Sequence, residues 1–472
     1  MTRLLILLLA MAPAIPAAAA ELPNVLLILS DDQSVPHMGC YGDPNVKTPR
    51  FDQFASQSIR FNRAYTTAPQ CAPSRKSIMT GRSPVGLQQT LFTLPLQADA
   101  ILFPELMKSQ SDYFIGLVGR SHHLDGDSNP VVDEIANRYH LRTTQERFDI
   151  CQVATGTNGN TRAITSIEQY KAFLNAVPPD KPFFLQLGFS DPHRPWDADF
   201  HPVYHDPKAL KLPPYYPDTP QLRKDLAGYY DEVARLDYYF GLAVDELASR
   251  NLAQNTIVIF MGDNGSATLR GKGTLYENGL NVPLLIRWPG VCAPSVSNAL
   301  ISGEDIAPTV LDATGVPIPA DMTGLSFLPL LKGQPFKPQS YVFAERGAHI
   351  GLPYNSASFD LSRTIIGERF KLIYNAIPSI PYTPVDFTDS SAWRSIALED
   401  SKGKLTPLFK RLYRSPTRPV FEMYDLVKDP SELVNLAQNR DFQDIRYDLQ
   451  KRLVEWMMLE KDYLPLPVPT VK

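Results

Sequence analysis

Residues Asn24–Asp32 read NVLLILSDD, an unbroken apolar run followed by a serine and two carboxylates. A strand without polar alternation is typical of a parallel sheet that is covered on both faces. Carboxylates placed directly after such a strand lie at its carboxyl end, where open α/β sheets bind their ligands. This stretch therefore predicts a central parallel strand that delivers Asp31 and Asp32 to a ligand site.

Further apolar runs along the chain have the same form. The run FFLQLGF leads into Asp191 and His193, and the run TIVIF leads into Asp263 and Asn264. Helical periodicity lies between the runs and is clearest over Leu222–Ser249. Alternating strands and helices predict an α/β fold with a mostly parallel sheet flanked by helices. The further predicted strands are Tyr113–Val118, Phe183–Phe189, Thr256–Phe260 and Val282–Arg287.

The C-terminal part of the sequence predicts a smaller α+β unit. RTIIGERFKLIYN (Arg363–Asn375) and FEMYDLVKDP (Phe421–Pro430) have the pattern of antiparallel strands around tight turns. Asp441–Lys461 predicts a terminal amphipathic helix. Pro378–Arg418, which lies between these strands and is rich in Pro, Ser and Thr, is expected to be a long surface excursion.

The N-terminus predicts export from the cytoplasm. A charged start at Arg3, an apolar run from Leu4 and small residues up to Ala20 form the pattern of a secretory signal peptide. The apolar run is too short to cross a bilayer, so no membrane anchor is expected. The mature protein is expected to be periplasmic or secreted.

Composition limits the classes of partner. The chain has 472 residues, a formal net charge of −4 and 44% hydrophobic residues, which is ordinary for a globular protein with a sizeable core. No basic field is available for nucleic acid, so an anionic substrate must be held by local cationic groups or a metal. The four cysteines are Cys40, Cys71, Cys151 and Cys292. They allow at most one disulfide once Cys71 is set aside, and none is required.

The segment QCAPSRKSIMTGR (Gln70–Arg82) singles out Cys71. One interpretation is a small buried side chain at the start of a helix, since Pro73 and Ser74 suit a first helical turn. The other is that the segment resembles the CxPSR signature and TGR continuation of the sulfatases. In that family a maturation enzyme oxidises the cysteine to formylglycine, so the key catalytic group would be absent from the encoded sequence.

The carboxylates predict a cation site. Asp31, Asp32, Asp263 and Asn264 offer only hard oxygen ligands, which suit Ca²⁺ or Mg²⁺ better than zinc or a redox metal. The alternative is that they are turn and helix-capping residues, as Asp and Asn often are.

Over nearly its whole mature length, the chain resembles the type I, formylglycine-dependent sulfatases of the alkaline phosphatase superfamily. The motifs, in the family's order, are NVLLILSDDQ, CAPSRKSIMTGR, GRSHH, DPHRP, GDNG and GKGTLYENG. The resemblance implies an alkaline-phosphatase-like fold and a divalent cation, Ca²⁺ or else Mg²⁺. Its implied ligands are Asp31, Asp32, Asp263, Asn264 and the modified Cys71. The expected domains are a signal peptide at 1–20, a sulfatase catalytic domain at 21–355 and a C-terminal subdomain at 356–472.

The same resemblance implies the remaining catalytic roles. Arg75 would neutralise the surroundings of the nucleophile and cation, and His122 would act as general base. His193 and Lys272 would hold sulfate and protonate the leaving group. Arg120 stands where the family commonly has lysine and is assigned to sulfate binding, because arginine binds oxyanions but cannot exchange a proton near neutrality.

Two points of the implied site stay open at the level of sequence. His123 adjoins His122, so either imidazole can face the site. His349 falls where one branch of the family carries a substrate-side histidine, and it is otherwise an ordinary loop histidine.

The implied substrate is a sulfated saccharide. Pro214–Asp237, Asn278–Ile286 and Phe370–Phe387 are most similar to the heparan N-sulfatase (N-sulfoglucosamine sulfohydrolase) branch, which implies the N-sulfate of glucosamine. An O-sulfatase acting on another polysaccharide, for example an algal one, fits the same motifs. Further alternatives are a phosphoester or phosphonate monoester hydrolase and an inactive glycan-binding homologue. The complete catalytic set, with its maturation motif, argues against the inactive homologue.

Overall fold

The computed structural model describes residues 22–92, 95–126, 130–197, 204–349 and 360–469. The signal peptide expected at 1–20 and the domain boundary expected after residue 355 lie outside these ranges. The strands are β1 Asn24–Ser30, β2 Ile59–Phe61, β3 Ala64–Tyr65, β4 Phe114–Gly119, β5 Ile150–Val153, β6 Phe183–Gly188, β7 Thr256–Gly262, β8 Leu284–Arg287, β9 Ser295–Ser297, β10 Ile301–Ser302, β11 Tyr341–Arg346, β12 Ser362–Gly367, β13 Phe370–Asn375 and β14 Phe421–Asp425.

The helices cover both faces of the larger sheet and one side of a smaller one. They are α1 Pro49–Ala55, α2 Cys71–Thr80, α3 Phe103–Ser111, α4 Pro130–Arg138, α5 Thr144–Arg147, α6 Gly159–Ala176, α7 Pro220–Ser249, α8 Glu277–Leu280, α9 Ile306–Ala313, α10 Leu328–Leu331, α11 Ser391–Ser401, α12 Pro407–Tyr413 and α13 Gln443–Leu459. Among the helices in the described ranges, none is both long and apolar enough to cross a membrane.

The larger sheet has eight strands in the order β5-β4-β6-β1-β7-β8-β2-β9. β1 is parallel to β6 and to β7, with Leu27 opposite Gln186 and Ile259. The expected mostly parallel α/β fold is therefore confirmed. β8, expected to repeat the parallel arrangement, instead runs antiparallel to β7. The chain between them stays at the carboxyl end of β7, where it carries Asn264 and Lys272, and re-enters the sheet from that edge.

Apolar side chains on both faces of β1 anchor this strand. Val25, Leu27 and Leu29 pack into one hydrophobic cluster with α2, α3 and α9, and Leu26 and Ile28 pack into a second cluster with α1, α6 and α7. Burial of each such side chain contributes roughly 1.5–3 kcal/mol. The strand is thus held from both sides, and the residues that follow it start from a fixed position.

The C-terminal strands form a four-stranded antiparallel sheet in the order β11-β12-β13-β14. The hairpin expected within Arg363–Asn375 is confirmed, with Thr364 opposite Ile373. The expected terminal helix is α13, whose Leu449 and Leu453 pack against Leu372 on this sheet. The α+β character of the C-terminal part is therefore confirmed, and the sheet already begins at β11.

The expected surface excursion at Pro378–Arg418 was wrong in part, because this segment contains α11 and α12. Ala392 and Ile396 of α11 and Tyr413 of α12 are buried in one cluster with Leu222 and Leu226 of α7. The sequence AWRSIAL has apolar residues at helical spacing, and their burial stabilises the helix although proline-rich flanks surround it.

A buried ion pair joins the chain after α13 to the second sheet. Nε and Nη2 of Arg363 donate to the carboxylate of Asp462 at 2.6 and 2.9 Å, and both side chains are fully buried. We expect Asp462→Ala to lower the free energy of unfolding by about 3 kcal/mol, because it leaves a buried guanidinium without its main partner. Chemical denaturation measures the loss. Asp448→Ala, which breaks the exposed pair with Arg452, is the matched control and should cost less than about 1 kcal/mol. Equal losses in the two variants would contradict the prediction.

Candidate active site

The carboxyl ends of β1 and β7 bring the predicted cation ligands together. The backbone N–H of Asp32 donates to Oδ1 of Asp263 at 3.0 Å, which ties the two strand ends to each other. One ligand atom from each of Asp31, Asp32, Asp263 and Cys71 lies within 4.8 Å of the others. All four residues are fully buried. Strand pairing therefore forms an acidic cluster from residues that are distant in sequence.

Cys71 enters this cluster as the first residue of α2. Its Sγ lies 3.1 Å from Oδ1 of Asp31 and 3.8 Å from Oδ1 of Asp32. Burial, reinforced by Asp31, raises the pKa of the thiol well above its usual value. The unmodified thiol therefore stays protonated at neutral pH and is a poor nucleophile.

The TGR part of the motif ends α2. Gly81 follows the helix with a φ of +66°, a left-handed conformation that glycine adopts without strain. A Cβ at this position would also lie 2.9 Å from Sδ of Met322. The glycine thus lets α2 end against its neighbours, while the helix start holds Cys71 in the site.

Two arginines supply positive charge beside the cluster. Nε of Arg75 donates to Oδ2 of Asp263 at 2.8 Å, and Nη2 of Arg75 lies 3.6 Å from Oδ2 of Asp31. Nε of Arg120 contacts Oδ2 of Asp31 directly. Burial opposes ionisation of Asp31, but Arg120, His193 and Arg75 hold its pKa well below the usual value. Asp31 is thus an anion in the folded protein.

His193 lies in a turn that follows β6. Asp191 of this turn accepts hydrogen bonds from Arg235 of α7 at 2.9 and 2.8 Å, and its carbonyl accepts the N–H of Asp31 at 3.1 Å. Nε2 of His193 lies 3.8 Å from Oδ2 of Asp32. Burial, together with Lys272 and Arg120, lowers the pKa of His193 to about 3. The imidazole is therefore neutral at neutral pH and can donate or accept a hydrogen bond.

Lys272 lies between two carboxylates. Its Nζ is 3.0 Å from Oδ1 of Asp32 and 2.7 Å from Oδ2 of Asp386. Burial disfavours the ammonium, but Asp32 and Asp386 keep the pKa of Lys272 well above its usual value. A protonated lysine is thus held next to the acidic cluster.

The donor set fits a divalent cation. Oδ1 of Asn264 is buried and makes no hydrogen bond with the described residues, while its Nδ2 donates to Oδ1 of Asp32 at 2.8 Å. Burial raises the pKa of Asp32 to about 8 although Lys272 opposes the rise, and Asp31 adds to it. A bound cation would use the unpaired oxygen and neutralise carboxylates that otherwise repel one another. The four residues Asp31, Asp32, Asp263 and Asn264 offer only oxygen ligands, and such a donor set favours Ca²⁺ or Mg²⁺.

Asp386 is a neighbour of this site that the sequence did not single out. It lies within the stretch Pro378–Arg418, and its Oδ2 is 3.7 Å from Nε2 of His193 as well as 2.7 Å from Nζ of Lys272. The signal that could have found it is its position near the end of Phe370–Phe387, one of the stretches most similar to the heparan N-sulfatases.

The histidines implied by the resemblance differ in their position relative to the acidic cluster. His122 is in a short 3-10 turn, but its side chain lies outside what the structure describes. The adjacent His123 is buried, and a ring nitrogen lies within 4.8 Å of ligand atoms of Asp31 and Cys71. His349 is half-buried, with its ring 4.9 Å from that of Phe92. Burial opposes ionisation of Asp386, but Lys272 and, to a smaller extent, His349 lower the pKa of this carboxyl. The structure therefore brings an imidazole of the expected GRSHH motif close to Cys71.

Most of the predicted residues meet at one edge of the large sheet. The residues brought together are Asp31, Asp32, Cys71, Arg75, Arg120, His193, Asp263, Asn264 and Lys272. All four cysteines are free thiols, so no disulfide holds the site residues in place.

Comparison with known proteins agrees with this arrangement. Residues 23–316 match the sulfatase family, and residues 265–375 match the family described as N-sulphoglucosamine sulphohydrolase, C-terminal. Human N-sulphoglucosamine sulphohydrolase is 29% identical, over 92% of this chain and 89% of that protein. An ulvan-active sulfatase of Formosa agariphila is 31% identical, over 95% of this chain and 82% of that protein.

A solved structure has the same fold over nearly the whole chain. It is a protein in complex with its substrate D-glucosamine-2-N,6-O-disulfate, and it matches with a TM-score of 0.69 at 18% identity, over 95% of this chain and 100% of that chain. This structural match shows the fold, and the sequence matches show the family and the type of reaction. The chain belongs to the sulfatase family, and it is a hydrolase of sulfuric esters or sulfamates.

Proposed function

We propose that this enzyme removes sulfate from a saccharide, with Cys71 oxidised to formylglycine and with Ca²⁺ or Mg²⁺ as its cofactor. The observation that carries the proposal is the buried cluster of Asp31, Asp32, Asp263 and Cys71, whose ligand atoms lie within 4.8 Å of one another. A maturation enzyme is the implied partner, since Cys71 needs oxidation before it can act. When bound, the cation supplies Lewis-acid activation of an oxygen nucleophile.

In this proposal, the side chains around Cys71 provide charge stabilisation, proton transfer and contacts to the substrate. Arg75 and Arg120 offset the negative charge of sulfate, which otherwise repels a nucleophile. Lys272, held protonated, donates a proton to the leaving group, and neutral His193 donates a hydrogen bond to sulfate. His122 or the adjacent His123 supplies the general base, and His349 contacts the saccharide.

The proposed substrate is the N-sulfate of glucosamine in a heparan-type saccharide. Its support is the match of residues 265–375 to the C-terminal region of N-sulphoglucosamine sulphohydrolase, together with 29% identity to the human enzyme over 92% of this chain. A second candidate is an O-sulfate of an algal polysaccharide, which the 31% identity to an ulvan-active sulfatase favours.

We also propose the organisation that the sequence suggested. In it, a signal peptide at 1–20 directs export to the periplasm or the medium. A catalytic domain at 21–355 then holds the cation and the nucleophile, and a C-terminal subdomain at 356–472 shapes the saccharide pocket. The position of Asp386, 2.7 Å from Lys272, supports a contribution of the C-terminal part to the site.

A panel of defined substrates tests the proposed function. The enzyme, produced together with a formylglycine-generating enzyme, is given N-sulfoglucosamine, glucosamine 6-sulfate, ulvan oligosaccharides and an aryl phosphate, and released anions are quantified by ion chromatography. We expect sulfate release with the highest kcat/KM on N-sulfoglucosamine, because the match of residues 265–375 favours this substrate. All sulfated substrates share the contacts to sulfate, so the rest of the substrate must set the preference. Release of sulfate only from ulvan oligosaccharides would select the second candidate. A large preference for the aryl phosphate would overturn the assignment as a sulfatase.

A further inference from the structure

Asp386 is a carboxylate at the entrance of a site built to receive an anion. Its Oδ2 lies 2.7 Å from Nζ of Lys272 and 3.7 Å from Nε2 of His193. It belongs to the C-terminal part of the chain, and the adjacent Val385 packs against Gly273, whose added Cβ would lie 2.2 Å from Cγ2 of Val385. Packing thus holds Asp386 beside Lys272, the proposed proton donor to the leaving group, and beside His193, the proposed hydrogen-bond donor to sulfate.

The exposed fraction of the side chains increases from the floor of the site to its entrance. The side chain of Asp32 is fully buried and that of Lys272 is 1% exposed, whereas those of His193 and Asp386 are 22% and 26% exposed. A sulfate group that reaches the buried cluster must leave its sugar on the exposed side. The atom that bridges sulfur and sugar therefore comes to lie near Lys272, His193 and Asp386.

The chemistry of that bridging atom differs between the two candidate substrates. A sulfamate bridges through nitrogen, which carries a hydrogen and donates a hydrogen bond. A sulfate ester bridges through oxygen, which has only lone pairs. A carboxylate accepts from the first and repels the second, and a hydrogen bond with a charged partner is among the stronger ones in proteins.

We infer that Asp386 determines specificity, by accepting a hydrogen bond from the bridging N–H and thereby selecting sulfamates over sulfate esters. The inference rests on the proposed function and names the substrate class of the same site. In the step concerned, a hydroxyl oxygen of the hydrated aldehyde proposed at residue 71 forms a bond to sulfur and gives its proton to the general base proposed from His122 or His123. The sulfur–nitrogen bond breaks at the same time, and its electron pair stays on nitrogen. Nitrogen takes a proton from Lys272, and the amine that leaves accepts a further proton from water, so that Asp386 then faces an ammonium group.

The experiment uses two substrates that differ only in the bridging atom, N-sulfoglucosamine and glucose 2-sulfate. Asp386→Asn and Asp386→Ala are compared with the unaltered enzyme and with Asp389→Asn, an exposed carboxylate of the same segment that serves as the matched control. We expect both Asp386 variants to lower the ratio of kcat/KM for the N-sulfate to that for the O-sulfate by about tenfold or more, the effect of one charge-assisted hydrogen bond. Asp389→Asn should leave the ratio unchanged.

Binding provides a second measurement that does not depend on turnover. In the Cys71→Ala background, calorimetry should show that Asp386→Asn weakens binding of N-sulfoglucosamine and does not weaken binding of glucose 2-sulfate. Equal losses for both substrates, or a ratio that neither Asp386 variant changes, would overturn the inference and leave the proposed function standing. If the unaltered enzyme released no sulfate from N-sulfoglucosamine, the proposed N-sulfate substrate would be refuted, and the inference that rests on it would be overturned as well.

Discussion

Cys71→Ala is expected to abolish sulfate release, with a loss of at least about 10⁴-fold in kcat and almost no change in melting temperature. The loss follows from removing the residue proposed as nucleophile, since enzymes that lose such a group keep only the catalysis provided by binding and charge stabilisation. The fold should survive because α2 is buried along its whole length by neighbouring side chains, and the substitution removes only one atom. Sulfate release and thermal unfolding measure the two parts of the prediction.

Mass spectrometry of the peptide that contains Cys71 is the companion measurement. We expect the peptide of the active enzyme to carry formylglycine, and we expect Cys292→Ala, a cysteine away from the site, to retain full activity. Sulfatase activity in a preparation that contains only the Cys71 thiol would exclude the formylglycine mechanism. Normal turnover by Cys71→Ala would refute its assignment as nucleophile.

The position of the site was predictable because it depends on strands that are buried on both faces. Asn24–Ser30 has no polar alternation, so its parallel placement and the location of Asp31 and Asp32 at its carboxyl end follow from the sequence. The same argument holds for β7 and Asp263. The motifs then identified Cys71 and Lys272, which the structure places with these carboxylates, while their roles remain predictions.

Features that depend on long-range packing were not predictable in the same way. The direction of β8 is set by the route of the chain after β7, and its apolar sequence suits either direction. α11 and α12 are stabilised by contact with α7, which no local pattern reveals. Asp386 reaches the site through packing of the adjacent Val385 against Gly273, which the sequence around this carboxylate does not reveal.

Removal of the divalent cation is expected to cost at least about 10³-fold in activity and also to lower the melting temperature. Three carboxylates lie within 4.8 Å of one another, and burial together with their mutual repulsion raises the pKa of Asp32 and of Asp263. A bound cation favours their ionised forms and should therefore stabilise the folded state. A ligand that binds only the folded state stabilises it by about 2.7 kcal/mol at a concentration one hundred times its Kd. Treatment with a chelator, followed by addition of Ca²⁺ or Mg²⁺, should therefore remove and restore both properties together.

Asp31→Asn separates this effect from a general loss of stability. The substitution preserves the shape of the side chain but removes one charge from the cluster, so the cation should raise the melting temperature of the variant much less than that of the unaltered enzyme. Asp389→Asn, an exposed carboxylate outside the cluster, should keep the full cation-dependent shift. The comparison works in the Cys71→Ala background as well, because the oxygen ligands remain there and no turnover is needed. A melting temperature that responds equally to the cation in all of these proteins would place the cation elsewhere in the molecule, and Asp31, Asp32 and Asp263 would then lose their assignment as its ligands.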